Sequence, residues 1–387
     1  MKVLIFNRAF FYISETFIYK QVVGLPADIQ TDLLAFEITN EDVFPTRNRK
    51  FKVKRIANTA DRLLTGIRKH LFNVRYKLGV FAYFAVKKIL RQEKYDLVHA
   101  HFGFNALLIY PLARIFKIPL VVTFHGVDAS PEMLTQKEYR KRIRKMLDYA
   151  GAVIIVSPHM KETLDLSNHA EKIHLIPCGA DPLEFNRSER LNDIGSVTIL
   201  HSGRLVSKKG VPDLVRIFSL LSHQYTHARL FIVGDGPELE LSRQLSDDAR
   251  SESIQFFGAR PHEEVKKIMA EADIFVLNSR VDDKGDMEGV PVSLLEAMSM
   301  RLAVISTRHA GIPYVIADND NGLLVDEKDN IGLTAALEKL IRDAELRNRL
   351  GNAARQTILN RFTIDEANRK IYNVYTEVAD RKKYRKL

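Results

Sequence analysis

What most constrains this chain is a repeating alternation. Short runs rich in Val, Ile and Phe are separated by longer stretches of helical period. In the first half the runs are Val3–Phe6, Leu33–Phe36, Leu97–His101, Leu120–His125, Ala152–Ser157 and His174–Pro177. In the second half they are Thr198–Ser202, Leu230–Gly234, Ile254–Phe257, Ile274–Asn278, Ala303–Thr307 and Leu323–Val325. Continuously apolar strands with helices between them predict α/β parallel sheets covered on both faces. A dozen strands are too many for one modest sheet, and the polar stretch 181–195 (DPLEFNRSERLNDIG) breaks the pattern midway. Two doubly wound domains are therefore expected, residues 1–180 and 196–360, which suits a chain of 387 residues. Ligands of such sheets bind beyond the carboxyl ends of the strands, so the cleft between the domains is the expected site. Residues 361–387 follow as an amphipathic helix, apolar at Ile364, Ala367, Ile371, Val374, Tyr375 and Val378, with a basic tail from Arg381.

A single cysteine, Cys178, excludes a disulfide framework and a thiolate zinc cluster and fits a reducing, cytoplasmic compartment. No apolar run approaches the roughly 18 residues of a spanning helix. The opening MKVLIFN reads as a strand rather than a signal peptide. The net charge of +10 is concentrated: Arg47–Arg91 holds fourteen Lys/Arg against one acid, Asp61, so the rest of the chain is slightly acidic. Phe51, Leu63, Leu64, Leu71, Phe72, Tyr76, Phe81 and Phe84 are interleaved with those cations. Basic and apolar residues in one helical stretch suit an anionic lipid surface. They would also suit a polyanion such as nucleic acid, or serve only as a solvated face.

Three loops carry candidate chemistry. In Asp286-Met-Glu288-Gly289-Val290-Pro291-Val292-Ser-Leu-Leu-Glu296, Pro291 is placed for the first position of a helix. Glu288 then lies just before that helix and Glu296 in its second turn, and the free N–H groups of Val290, Val292 and Ser293 offer donors to phosphate or hydroxyls. Two carboxylates beside such a terminus suit a ligand bearing hydroxyls as well as phosphates; a capped surface helix is the plainer alternative. In His201-Ser-Gly203-Arg204-Leu-Val-Ser-Lys208-Lys209-Gly210, Arg204 and Lys209 could hold a diphosphate, with Lys208 read as a surface residue. Val233-Gly-Asp-Gly-Pro-Glu238 is a weaker signal, since its glycines could serve only a sharp turn. In the first half, His125-Gly126 ends a strand and can reach into a cleft, and His99 and His101 end the preceding one. With Asp128 these histidines match no metal-ligand spacing, and no metal is assigned.

Taken in order, these segments resemble the retaining glycosyltransferases of family 4. Glu288 to Glu296 is similar to their E-x7-E motif, and the GR…KG, VGDGP, FHG and IPCGAD segments recur in the family's order. Ser14-Glu15-Thr16-Phe17-Ile18 and Gly285–Val292 resemble a bacterial exopolysaccharide subgroup of colanic-acid type. The resemblance implies a GT-B fold: two Rossmann-like domains facing across a cleft, with the last helix returning to the acceptor-binding first domain. It implies that Glu288 contacts the donor sugar, helped by the backbone of the neighbouring segment Gly289, Val290, Pro291 and Val292, in which all but the proline carry an N–H, and that Glu296 binds ribose hydroxyls. Arg204 and Lys209 would bind the diphosphate in place of a metal ion, and His125 would face the transferring sugar. Ser14, Glu15 and Thr16 would lie on the acceptor side. The first loop, Asn7–Phe10, lacks the glycine pair of many relatives. The implied reaction moves a hexosyl unit from a nucleotide-diphosphate sugar to a saccharide acceptor with retention, without metal or cofactor. The acceptor is expected to be lipid-linked, the enzyme peripheral on the cytoplasmic face of the membrane, and the pathway exopolysaccharide or lipopolysaccharide assembly. A sugar-nucleotide epimerase would keep the fold but would not need the basic face. A nucleic-acid-binding protein would leave Glu288 and Glu296 unexplained, and no nucleic-acid partner is assigned.

Overall fold

A computed structural model describes the chain apart from residues 56–75, 188–194, 250–252, 284 and 385–387. It divides into two compact units, Met1–Ile176 with Ala367–Leu387, and Pro177–Glu366. In the first, the described strands lie in the order Arg49–Lys52, Gln30–Ala35, Lys2–Phe6, Leu97–His101, Leu120–Phe124, Ala152–Ile155 and Ile173–Leu175, all parallel. In the second, the order is Ile254–Gly258, Ala228–Val233, Val197–Ser202, Ile274–Leu277, Ala303–Thr307 and Leu323–Val325, again all parallel. Each sheet starts in its middle and winds outward both ways. The order in which strands are added reverses between Lys2–Phe6 and Leu97–His101, and between Val197–Ser202 and Ile274–Leu277, although each of these pairs is parallel. Those reversals splay successive loops apart at the carboxyl ends and leave a crevice there.

The strand absent from the sequence reading is Arg49–Lys52, which pairs with Gln30–Ala35. It is an edge strand of three cations and one phenylalanine, with no apolar face, so no hydrophobic run announces it; cations on an edge also discourage further strand addition. The basic segment is therefore not one helical stretch. It opens as a strand, with Arg49 lying over the Phe51 ring at 4.4 Å. The helix Val80–Glu93 closes it, and residues such as Arg62, Arg68, Lys69 and Arg75 fall outside the described part.

The second unit also takes in Pro177–Arg187, of which residues 177–180 are expected from sequence to end the first domain and 181–187 to belong to the linker. Among the polar residues there is one fully buried ring, Phe185, which packs into an apolar core of the second unit. Its carbonyl accepts from Ser299 Oγ at 2.8 Å and Arg355 Nη1 at 3.3 Å, while Arg355 Nη2 reaches the Pro182 carbonyl at 3.4 Å. The last helix, Ile364–Tyr384, sends Ala367, Ile371, Val374, Tyr375 and Val378 into the same core as Val3, Ile5 and Val121 of the first unit. Tyr375 is also fixed by polarity. Its hydroxyl donates to His99 Nδ1 at 2.6 Å and receives the Gln21 amide at 3.3 Å, while His99 Nε2 donates to Thr123 Oγ1 at 2.7 Å. Tyr375→Phe should therefore lower unfolding stability by about 1–2 kcal/mol, the cost of a buried hydrogen bond. Urea unfolding of the full chain measures this, and an unchanged midpoint would show that apolar packing alone holds the helix.

Candidate functional site

In the second unit the crevice is built from loops following four neighbouring strands. After Val197–Ser202 the chain turns through Gly203 and a 3-10 turn, Ser207–Lys209, into the helix Val211–Gln224. Gly210, at φ +59°, makes the last step: a Cβ there would stand 2.5 Å from the Asn278 carbonyl oxygen. Asn278 Nδ2 in turn donates to the Gly210 carbonyl at 3.2 Å. Gly234, at φ +142°, is required for a related reason, since a Cβ would lie 1.8 Å from the Gly203 carbonyl oxygen. The glycines of the VGDGP loop thus seat that loop against the Gly203–Leu205 turn.

The 3-10 turn aims two consecutive lysines inward. Lys209 Nζ lies 2.8 Å from Glu288 Oε1, with both side chains about nine-tenths buried. Lys208, read from sequence as a surface residue, is equally buried. It pairs with Asp286 at 2.9 Å and donates to the Met287 carbonyl at 3.2 Å. Burial alone would raise the Glu288 carboxyl, but Lys209 and Lys208 more than offset it and hold it at about 2. Glu288 is therefore ionised at neutral pH. Its contribution to stability is present above about pH 4.5 and is lost as pH falls through its folded value. His201, at the strand end, is driven down to about 4 by burial and by the neighbouring Lys209. The ring is neutral, donates from Nδ1 to the Val276 carbonyl at 3.1 Å, and leaves Nε2 as a buried acceptor without a partner.

Glu288 is also held through its backbone. Its N–H donates to His309 Nε2 at 3.0 Å, and His309 Nδ1 donates to Glu327 Oε1 at 2.6 Å. The second oxygen of Glu327 accepts from Val281 N–H at 2.9 Å. Neither His309 nor Glu327 was singled out in the sequence, although both follow strands of this sheet, Ala303–Thr307 and Leu323–Val325. The strand-end rule that selected His125 would have pointed to them.

Pro291 caps the next helix rather than entering it. Its ψ of 126° is extended and the helix runs Val292–Ser299. Gly289 and Val290 are buried beside it, and the first-turn amides of Val292 and Ser293 have no intrahelical acceptor. Glu296, on the second turn, meets His262 Nε2 at 3.3 Å, and His262 Nδ1 meets Glu184 at 3.3 Å. The structure thus gathers Lys209, Glu288, Gly289, Val290, Pro291, Val292 and Glu296 on loops and a helix of one unit. Arg204 belongs to the same loop but is exposed, with no ion-pair partner among the described residues.

The other candidates lie in the first unit. His125 Nε2 is 3.0 Å from His101 Nδ1, and its ring packs against Phe17 and Phe102 at centroid distances of 4.8 and 4.6 Å. Burial, and the His101 ring beside it, hold His125 far below the usual imidazole range, and burial takes His101 to about 3. Both rings are neutral, and His125 Nδ1 is buried without a partner. Asp128 shapes this loop by accepting the N–H groups of Gly103, His125 and Gly126 at 2.7, 2.9 and 3.1 Å. Ser14 and Glu15 form part of a 3-10 turn, the Ser14 side chain lying outside the described residues, and Thr16 is buried at the start of the next helix. Glu15 accepts from Asn7 Nδ2 at 3.4 Å, and Asn7 Oδ1 accepts from Asn105 at 2.6 Å, so the loop without glycines is knitted by side-chain amides.

The model for glycosyl transferases group 1 matches residues 184–357, and that for glycosyltransferase family 4 matches residues 38–183. The amylovoran biosynthesis glycosyltransferase AmsK of Erwinia amylovora is 32% identical over 249 residues, 63% of this chain and 61% of that protein. The putative colanic acid biosynthesis glycosyltransferase WcaL of Escherichia coli K12 is 27% identical over 368 residues, covering 87% and 90%. Anabaena Alr3699/HepE, solved with UDP and glucose, has a similar fold at a TM-score of 0.77 and 18% identity, over 97% of this chain and 99% of that one. The chain belongs to the family 4 glycosyltransferases and has their GT-B fold.

His309→Ala would leave the Glu288 N–H without its acceptor and release Glu327. We expect glycosyl transfer to fall about 10²-fold, the scale of a roughly 1 Å misplacement of a reacting group, in protein that stays folded at the assay temperature although its melting temperature drops with the lost buried hydrogen bonds. Steady-state kinetics beside a thermal melt checks this; wild-type turnover would show that His309 does not position Glu288.

Proposed function

We propose that this enzyme transfers a hexosyl unit from a nucleoside-diphosphate sugar to a saccharide acceptor, with retention at the anomeric carbon and without a metal ion. The observation that carries this is the juxtaposition of a buried Lys209–Glu288 ion pair with the free amides opening the helix Val292–Ser299. Cation and amides together suit a diphosphate. The ionised carboxylate suits sugar hydroxyls, and Glu296 suits those of the ribose. In the reaction the bond from the anomeric carbon to the phosphate oxygen breaks and the bond to the acceptor oxygen forms. Charge develops on the departing diphosphate, where Lys209 and Arg204 stabilise it. The acceptor's hydroxyl proton passes to a phosphate oxygen on the same face, so neither Glu288 nor His125 need become covalently attached. On this reading His125 serves the transferring sugar, and Ser14, Glu15 and Thr16 serve the acceptor.

Glu288→Gln and Arg204→Ala should each lower turnover by about 10²–10³ while the protein remains folded. A thermal-shift screen with UDP, GDP and ADP selects the donor base beforehand. Near-normal turnover in either variant would remove that residue from the catalytic set.

The acceptor we propose is lipid-linked, in exopolysaccharide or lipopolysaccharide assembly, and the enzyme works at the cytoplasmic face of the membrane. None of the described helices is long and apolar enough to cross a bilayer. Two surface helices of the first unit support a peripheral contact. Val80–Glu93 buries Ala82, Val86 and Leu90 and turns out Phe81 and Phe84, 48% and 60% exposed, beside Lys77, Lys88 and Arg91. Lys137–Tyr149, absent from the sequence reading of the basic face, exposes Lys137, Arg140, Lys141, Arg144 and Lys145 along one side. Tyr76 joins the two, its hydroxyl donating to Gln136 at 3.0 Å and its carbonyl accepting from Arg142 at 3.4 Å. Cations near an anionic surface contribute about 1 kcal/mol each, and exposed phenylalanines add shallow insertion. Sedimentation with vesicles should show binding that rises with anionic lipid and falls with salt. Phe81→Ser with Phe84→Ser should weaken it. Indifference to anionic vesicles at low salt would leave a soluble acceptor as the better assignment.

A further inference from the structure

His262 lies outside every motif, yet it joins two carboxylates beside the site. It opens the helix His262–Glu271, and its Nδ1 and Nε2 lie 3.3 Å from Glu184 Oε1 and Glu296 Oε1. Each partner comes from a different element. Glu296 is on the helix Val292–Ser299, and Glu184 is on the Pro177–Arg187 segment anchored by Phe185 and Arg355. The Phe185 ring also meets the imidazole edge-on at a centroid distance of 5.2 Å. Both ring nitrogens facing carboxylates is an arrangement only the imidazolium satisfies, because a neutral ring carries one N–H. With Oε1 of Glu296 engaged by His262, Oε2 is the oxygen left for a ligand.

We propose that His262 is a positioning residue that, as an imidazolium, fixes the Glu296 carboxylate for the ribose hydroxyls of the donor and so sets the preference for a ribonucleotide. This rests on the reading of Glu296 as the ribose contact. The groups around His262 agree with a cation there. Glu184 and Glu296 face it, Glu263 and Glu264 lie on its own helix, and the nearby cations Lys266 and Arg260 are drawn to Glu263 at 2.7 Å and Glu264 at 3.7 Å. Burial alone would lower the imidazole, but Glu184 and Glu296 outweigh it and push it up to about 9. The bridge is therefore complete at neutral pH and is lost as pH rises through about 9.

The test measures, by calorimetry, the affinities of UDP, GDP and ADP and of their 2′,3′-dideoxy analogues for the full chain, from pH 7 to 10. Wild type should favour the bound ribonucleotide over its dideoxy analogue and lose that preference as pH passes about 9. His262→Gln should cut the preference about tenfold at pH 7, the scale of one hydrogen bond to a charged group, leave dideoxy binding unchanged, and abolish the alkaline step. His262→Arg, which keeps the charge, should recover part of the preference. In a Glu296→Ala background His262→Gln should cost nothing more. Three results overturn the assignment: an unchanged preference in His262→Gln, an equal loss for the dideoxy nucleotide, or a loss that persists without Glu296. Failure of wild type to bind any of the three nucleotides would instead overturn the donor reading itself.

Discussion

Lys209 and Glu288 lie 2.8 Å apart with little water around either. Such a pair is a poor source of stability, because removing two charges from water costs about as much as their attraction returns. Its presence at the carboxyl end of a sheet therefore asks for another reason. The surrounding structure supplies one by holding each partner from behind. Gly210 and Asn278 fix the turn that presents Lys209, and Lys208 ties that turn to Asp286 and Met287. His309 and Glu327 grip the backbone of Glu288. The geometry is set before a ligand arrives, and preorganised charge of this kind lowers the barrier to a step that builds charge on a leaving group.

The fold places that pair. Both sheets are parallel, and their central strands send successive loops to opposite sides. In the second unit the loops after Val197–Ser202, Ile274–Leu277, Ala303–Thr307 and Leu323–Val325 all contribute to the site. A buried sheet fixes these strand ends more firmly than surface loops could fix one another. The first unit repeats the principle with histidines, where His101 and His125 leave adjacent strands and meet at 3.0 Å while Asp128 gathers the local amides.

Much of this was legible in the sequence for definite reasons. Continuous apolar runs located the central strands, because burial on both faces leaves no polar alternation to confuse them. Glycine and proline beside strand ends pointed to the loops bearing Lys209 and Glu288. Other parts were hidden, also for definite reasons. Arg49–Lys52 has one neighbouring strand and no apolar face. Lys208 and Lys209 are adjacent letters, and nothing in one dimension says that a 3-10 turn buries both. His309, Glu327, Glu184 and His262 act through side-chain contacts to partners well separated from them in the chain, a pairing that no local spacing displays. Phe185 looked like part of a polar linker because its neighbours in sequence are polar, while the apolar core that buries it comes from other parts of the chain.

On the function proposed, the Lys209–Glu288 pair is there for glycosyl transfer rather than for folding. Replacing both partners by apolar residues of similar size, Lys209→Met with Glu288→Leu, separates the two roles. Urea unfolding and turnover measured on the same preparation give the answer. The expected results are a midpoint no lower than wild type for the double variant, a clearly lower one for Lys209→Met alone because it strands a buried carboxylate, and no detectable transfer in either. A double variant as unstable as the single one, or one that still transfers sugar, would contradict that role.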